Sequence, residues 1–163
     1  MTVGSRKLRM LSMSYPALSL VCFLIDQLIK GAVRRCPYGE VFFRMPKLLD
    51  LVHFGNTGAA FSMFSGRTEI IVWISLLLLV VLAGYFMRSL SLNRSGKIAL
   101  SLLIGGALGN MADRLIYREV TDYIRLSFIA FPVFNFADIL ITTSVFWLAY
   151  KLLTGKLDRH SGE

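Results

Sequence analysis

The chain has 163 residues, a mean hydropathy of +0.62, 55% hydrophobic residues and 17% charged ones. This composition excludes an ordinary soluble enzyme of two domains, whereas the length suffices for about four membrane crossings of ~20 residues each. The net charge of +8 is concentrated at the ends of apolar runs and is not interleaved with aromatic residues, which indicates membrane topology rather than a nucleic acid partner.

The first apolar run, residues 14–32, is predicted to be a membrane helix. It follows a basic stretch as a signal peptide would, but Val21 stands before Cys22 and no small-x-small cleavage site is present. We therefore expect a retained anchor. Asp26 and Lys30 are four residues apart and share one helix face near its outer end. This pair is either a structural ion pair or part of an active site.

A long outer loop, residues 34–68, follows this helix. It is too long for a tight connection. Residues 48–54 form a strand-like run, and residues 55–58 are typical of a turn. The sequence therefore predicts a small extracytoplasmic β-rich element between the first and second membrane helices.

Three further membrane spans are predicted. Residues 70–87 carry no charge, and this run alone indicates an integral membrane protein. Residues 96–112 include Gly105 and Gly109, a small-xxx-small pair that lets a neighbouring helix approach closely. The fourth span covers residues 134–153.

These elements predict one domain over residues 1–163, an all-α integral membrane protein of four transmembrane helices with the β-rich element on its extracytoplasmic face. Four crossings place both termini on the same side. Basic residues in the short tails and in the turn between the second and third spans place that side in the cytoplasm.

The acids indicate chemistry. Asp138 is the single charged residue between residues 128 and 150, and an ionisable group at membrane depth costs at least ~2.5 kcal/mol, so it is usually functional. Asp122 lies 16 residues upstream, and Pro132 between them lets the chain loop out and return. Two carboxylates that meet near one membrane face suggest acid–base catalysis. A role in helix packing or in ion transport is the alternative.

Further polar residues accompany the acids. Asn110, Asp113 and Arg114 lie at i, i+3 and i+4, and Asn135 is three residues before Asp138. A guanidinium can clamp a carboxylate or a phosphate with two hydrogen bonds. These residues form a polar network between helices, contact a lipid headgroup or substrate, or do both.

Other catalytic patterns are weaker. A Ser-His-Asp site would rest on His53, because His160 lies in the tail, and no nucleophile-elbow pattern accompanies it. The sequence contains neither a phosphate-cradling loop nor zinc-ligand spacing, so we expect no cofactor and no metal.

Five short motifs occur in order along the predicted spans. They are Asp26-Gln-Leu-Ile-Lys30, Asn56-Thr-Gly-Ala-Ala-Phe61, Gly105-Gly-Ala-Leu-Gly-Asn-Met-Ala-Asp-Arg114, Val120-Thr-Asp-Tyr123 and Phe134-Asn-Phe-Ala-Asp138. Each motif alone is weakly specific, but the ordered set is highly specific. On these motifs the chain resembles the bacterial lipoprotein signal peptidase (signal peptidase II) family along nearly its whole length.

The resemblance implies an intramembrane aspartic endopeptidase of the bacterial inner membrane. Such an enzyme removes the signal peptide of a prolipoprotein by cleaving N-terminal to a diacylglyceryl-modified cysteine. Asp122 and Asp138 would be the catalytic pair that activates water. The expected partners are these lipidated substrates and membrane lipids, with no nucleic acid, and a monomer is expected.

The motif match also implies a set of residues that bind substrate or support the site. They are Asp26, Lys30, Asn56, Gly58, Ala59, Phe61, Gly106, Asn110, Asp113, Arg114 and Asn135. Two positions depart from the family pattern, where relatives often carry a charged or larger residue at Gly55 and a Phe at Tyr123. Neither position is one of the acids, so these departures bear on substrate fit rather than on the reaction.

Two other functional classes fit the membrane acids. A small transporter or channel would use them to relay protons or cations, so Asp138→Asn would abolish flux and no peptide would be cut. A structural membrane subunit would tolerate neutralisation of both acids with only a loss of stability.

Overall fold

The computed structural model describes residues 3–58, 73–74, 76–77, 80–81, 84 and 93–154. Within these residues the chain forms three long helices and one three-stranded sheet. The elements are α1 (Val3–Val33), β1 (Val41–Met45), β2 (Leu49–Asn56), α2 (Arg94–Tyr117), β3 (Val120–Leu126) and α3 (Phe136–Leu153).

The described residues include three helices long and apolar enough to cross a membrane, at Tyr15–Val33, Arg94–Tyr117 and Phe136–Leu153. The first, third and fourth predicted spans are therefore confirmed. The predicted span over 70–87 lies largely outside the described residues.

Helix α1 is polar on its inner face and apolar on its outer face. Leu20, Leu24 and Leu28 are exposed, whereas Asp26 and Lys30 are fully buried. Lipid is as apolar as leucine, so the outer face loses nothing by remaining exposed, while buried polar groups must find partners inside the protein.

Helix α2 packs between α1 and α3 through glycines. A Cβ atom at Gly105 would lie 2.7 Å from Cys22 Cβ, and one at Gly106 would lie 2.7 Å from the main-chain oxygen of Ala137. A Cβ at Gly109 would overlap the carboxylate of Asp26. The predicted close approach at Gly105 and Gly109 is confirmed, and Gly106 serves the same purpose toward α3.

Helix α2 extends beyond its predicted end at residue 112. It begins after Asn93, whose side chain accepts a hydrogen bond from Gly96 N, and it continues to Tyr117. The charges of Asp113 and Arg114 suggested an earlier end, but both side chains are buried. They have partners within the protein, so the helix need not end before them.

The sheet is antiparallel, with β2 between β1 and β3. The prediction of a β-rich element after the first membrane helix therefore covered only β1 and β2. The third strand, β3, was not predicted, because it comes from the connection between α2 and α3. The prediction of a turn at residues 55–58 is wrong for Gly55 and Asn56, which belong to β2 and pair with Thr121 and Val120. These two residues form a strand rather than a turn because β3, which is distant in sequence, pairs with their backbone.

One carboxylate joins all three strands of this sheet. Asp50 on β2 accepts hydrogen bonds from Arg44 on β1 at 3.1 Å and from Arg125 on β3 at 2.7 Å. The Arg125 bond is the main reason that the pKa of Asp50 lies below its usual value. This ion pair lies outside the cavity described below.

The chain leaves β3 and returns beside it before α3. Ile124 N donates to Phe134 O at 2.8 Å, and Phe134 N donates to Ile124 O at 3.0 Å. The segment between them therefore closes into a loop, as predicted from Pro132. This return places the start of α3 next to the strand that carries Asp122.

Gly105→Ala and Gly106→Ala should each destabilise the protein by about 1–3 kcal/mol, because the added methyl groups meet Cys22 and Ala137 at helix contacts. Gly31→Ala is the matched control, since nothing lies within 4 Å of its Cβ position. Thermal unfolding in detergent measures the difference. Equal stability of all three variants would contradict the role of the glycines.

Candidate active site

Asp122 lies on β3, where pairing with Phe54 of β2 fixes its position. Its side chain is 2% exposed. Oδ1 accepts a hydrogen bond from Asn135 Nδ2 at 2.6 Å, and Oδ2 accepts one from Asn56 Nδ2 at 2.9 Å. The carboxyl group is thus withdrawn from solvent and held on both oxygens.

Asp138 is the third residue of α3 and forms a capping box with Asn135. Asn135 N donates to Asp138 Oδ2 at 3.1 Å, and Asp138 N donates to Asn135 Oδ1 at 3.0 Å. Such a reciprocal pair satisfies main-chain groups that the first turn leaves free. The local sequence Asn-x-x-Asp thus orients the side chain of Asp138 through contacts within the first turn of α3.

Two asparagines connect the acids. Asn135 Nδ2 contacts both Asp122 Oδ1 and Asn110 Oδ1, the second at 3.2 Å. Asn110 Nδ2 in turn donates to Asp138 Oδ1 at 2.7 Å. A continuous chain of hydrogen bonds therefore runs from one carboxyl group to the other.

Both acids line one cavity of about 530 Å³. Its polar part is formed by Asn56, Asn110, Arg114, Asp122 and Asp138. The remaining wall is apolar or weakly polar and comes from the loop before α3 and from the first two turns of α3. Such a cavity can hold a polar reacting group whose neighbours are apolar.

Lys30 lies at the centre of a buried charge cluster next to this cavity. Its Nζ atom is 2.9 Å from Asp26 Oδ2 and 3.2 Å from Asp113 Oδ2, and all three side chains are fully buried. Nζ also donates to Asn110 Oδ1 at 2.8 Å. Because that oxygen faces a lysine, the amide nitrogen of Asn110 must face Asp138, which fixes the amide orientation by chemistry.

Asp26 also contacts the start of α3. Its Oδ1 atom accepts a hydrogen bond from Ala137 N at 3.2 Å. Asp26 and Lys30 thus form the structural ion pair considered above, and this pair lies next to the start of α3.

Arg114 joins α2 to the segment after β2. Its Nη2 atom donates to Gly58 O at 3.0 Å, and Gly58 N donates to Asn56 Oδ1 at 2.9 Å. Nη1 donates to Asn110 O at 3.3 Å. Nε of Arg114 is buried and has no hydrogen-bond partner among the residues that the structure describes.

Burial raises the pKa of Asp122 from its ordinary 3.8 to about 7, and the nearby charge of Asp138 adds to this effect. Hydrogen bonds from Asn56 and Asn135 and the charge of Lys30 act in the opposite direction. A carboxyl group with this pKa can carry a proton near neutral pH.

Sequence reasoning missed three residues of the cluster. Gln27 Nε2 donates to Asp113 Oδ1 and to Gly109 O, both at 3.1 Å, and Thr121 N donates to Asp113 Oδ2 at 3.0 Å. Arg34 also reaches Asp113. Its i+4 spacing from Lys30 could have placed it on the same face of α1, whereas Thr121 gives no signal of this kind.

The remaining predicted residues are placed as follows. Gly106 lies at the α2–α3 contact, while Ala59 and Phe61 lie outside the described residues. His53 Nδ1 is 2.8 Å from Cys36 O, and His53 is not among the described residues that line the cavity. The described ranges also contain no group of three His, Cys, Asp or Glu residues that could hold a metal ion.

The chain is similar to known proteins over most of its length. The family model for signal peptidase (SPase) II matches residues 18–154. A lipoprotein signal peptidase of Trichormus variabilis is 34% identical over 143 residues, which cover 87% of this chain and 90% of the relative. One of Gloeobacter violaceus is 39% identical over 124 residues, which cover 76% and 72%.

A solved structure of a bacterial membrane enzyme, determined by the in meso method at 2.3 Å resolution, has the same fold. It aligns with a TM-score of 0.82 at 29% identity, over 92% of this chain and 93% of that chain. The family match covers α2, the sheet, α3 and most of the membrane part of α1. The chain therefore belongs to the signal peptidase II family of membrane proteases.

Proposed function

We propose that this protein is an aspartic endopeptidase that removes the signal peptide from prolipoproteins by cutting just before a diacylglyceryl-modified cysteine. The observation that carries the proposal is the pair of carboxyl groups, Asp122 and Asp138, on one cavity and joined through Asn135 and Asn110. Two acids in such an arrangement do not ionise together cheaply, so the pair retains one proton over a range of pH.

The protonated member is Asp122, because burial beside Asp138 raises its pKa to about 7. Asp138 takes a proton from a water molecule that enters the cavity, and this water attacks the scissile carbonyl carbon. Asp122 donates its proton to the carbonyl oxygen as the tetrahedral intermediate forms. The C–N bond then breaks, Asp138 returns its proton to the amine of the departing cysteine, and Asp122 recovers one from the intermediate.

The position of the cavity suits a lipidated substrate. The site lies at the end of the membrane helices that carries the sheet, and its wall toward α3 is largely apolar. The acyl chains of the substrate remain in the bilayer while the peptide bond reaches the carboxyl pair. Binding energy from the lipid then positions the carbonyl group for attack.

We place the enzyme in the bacterial inner membrane, with both termini in the cytoplasm and the carboxyl pair near the extracytoplasmic face. The support for this orientation is the positive charge of the short tails. Diacylglyceryl-modified prolipoproteins and membrane lipids are the partners in this proposal, and the enzyme acts as a monomer without a cofactor.

Asp122→Asn and Asp138→Asn should each reduce cleavage of a diacylglyceryl-modified prolipoprotein by at least ~10²–10⁴-fold, because one proton donor or acceptor is lost. Each amide keeps one oxygen acceptor and replaces the other with an NH₂ group, so one of the two hydrogen bonds that each carboxylate accepts is lost. The purified protein in detergent and a gel shift of the substrate provide the assay.

Asp50→Asn is the control for these variants, since it also removes a carboxylate but lies in the sheet outside the cavity. It should cleave at close to the wild-type rate when all variants are assayed at a temperature at which they remain folded. Full activity of Asp122→Asn or Asp138→Asn would reject the carboxyl pair as the catalytic group.

Cleavage should decline as the pH rises through about 7, because Asp122 then loses the proton that the carbonyl oxygen requires. The charged groups that face Asp122 are Asp138 from α3, Lys30 from α1 and Arg114 from α2. The measurement is kcat/KM against pH with a fixed detergent and salt. A profile that stays flat from pH 6 to 9 would contradict this assignment of the proton.

Protonation of Asp122 also affects the stability of the folded protein. The pKa of Asp122 is raised on folding, so the folded protein binds more protons than the unfolded one between pH 3.8 and about 7. The contribution of this group to stability is therefore present below pH 3.8 and is lost as the pH rises to about 7. Asp122→Asn should remove that part of the slope in a plot of unfolding temperature against pH, whereas Asp50→Asn should keep it.

A further inference from the structure

We propose that Arg34 is a positioning residue that fastens β3, and with it Asp122, to the membrane helices α1 and α2. The proposal rests on the proposed function only where cleavage is the readout. Arg34 follows the last residue of α1, and its guanidinium reaches both α2 and β3.

The guanidinium of Arg34 makes three contacts. Its Nη1 atom is 3.2 Å from Asp113 Oδ1 on α2 and donates to Thr121 Oγ1 on β3 at 2.9 Å. Its central carbon lies 4.1 Å from the centroid of the Tyr117 ring, near the end of α2. One nitrogen therefore bridges a helix and a strand while the plane of the group stacks on an aromatic ring.

These contacts close a triangle. Asp113 Oδ2 accepts a hydrogen bond from Thr121 N at 3.0 Å, while Asp113 Oδ1 is paired with Arg34. Thr121 is thus held through its main chain by Asp113 and through its hydroxyl group by Arg34. Two independent hydrogen bonds restrain the residue immediately before Asp122.

This restraint acts at an edge of β3 where the described part of the chain places no other strand. In the sheet order, β2 lies on the opposite side of β3, and the return of the chain at Phe134 supports β3 farther along, at Ile124. At Thr121 the free edge is covered by Asp113 and Arg34. Loss of the bridge would let the start of β3 move away from α2.

Movement of β3 would change both the position of the Asp122 carboxyl group and its burial. Its oxygens lie 2.6 and 2.9 Å from the amides of Asn135 and Asn56, and displacement of about 1 Å in an active site can cost ~10²-fold in rate. Water that entered beside a looser strand would also reduce the burial that raises the pKa of Asp122.

The test uses variants that keep the charge balance of the cluster. Arg34→Lys retains a positive charge but loses the planar group that bridges and stacks, and Thr121→Val removes the hydroxyl acceptor with little change of shape. Arg35→Lys is the matched control, because Arg35 is the next residue and its side chain is exposed.

In cleavage assays, Arg34→Lys and Thr121→Val should each lower kcat about tenfold and change KM less than twofold, since positioning acts on the reacting groups. The double variant should lose little more than either single variant, because both remove the same bridge. Arg35→Lys should match the wild type. Wild-type kcat in Arg34→Lys, or additive losses in the double variant, would overturn the proposal.

A second readout does not require cleavage. Infrared difference spectra against Asp122→Asn report the carbonyl stretch of the protonated Asp122 carboxyl group as a function of pH. Arg34→Lys and Thr121→Val should move this titration to lower pH, whereas Arg35→Lys should leave it in place. Asp138, Lys30 and Arg114 face Asp122 and are unchanged in all three variants.

The two readouts separate the possible failures. If the wild-type protein does not cut the prolipoprotein, the proposed function fails, and the infrared titration alone decides the role of Arg34. An unchanged titration in both Arg34→Lys and Thr121→Val would overturn the positioning role, even if these variants unfolded at lower temperature.

Discussion

The structure depends on one buried ammonium group. Lys30 is fully buried, and its three donors reach two carboxylates and one amide oxygen. In hydrocarbon such a charge is tolerable only when its partners are close and its hydrogen bonds are complete. The need to satisfy Lys30 therefore brings Asp26, Asp113 and Asn110 together, and these residues bring α1 and α2 into register at the end that carries the site.

The same requirement explains the glycines. The carboxylate of Asp26 occupies the space where a Cβ of residue 109 would stand, and the backbone of α3 approaches Gly106. Small residues leave room for polar groups and backbone between helices, and van der Waals packing then replaces the hydrophobic effect that lipid cannot provide. Many large apolar side chains of the described residues remain exposed, as a lipid-facing helix surface requires.

Sequence patterns predicted the three membrane spans that the described residues contain, because long apolar runs have few alternatives in a bilayer. They also predicted the polar face of α1, from the spacing of Asp26 and Lys30, and the return of the chain, from Pro132. Both signals lie within one short segment of sequence. They did not predict β3, because residues 120–126 become a strand only by pairing with β2. Thr121 was missed because its contacts with Arg34 and Asp113 arise only when β3 packs against α1 and α2, whereas Arg34 was missed although its spacing from Lys30 was a local signal.

The two acids reach one cavity by different means. Asp138 is fixed locally by a helix cap, whose main-chain N–H group contacts its carboxylate. Asp122 is fixed by strand pairing, receives side-chain amides only, and is buried beside the other acid. Asn135 belongs to both arrangements, because its oxygen caps α3 while its nitrogen binds Asp122. A shift of the strand relative to the cap would therefore change both the position of Asp122 and the burial that raises its pKa.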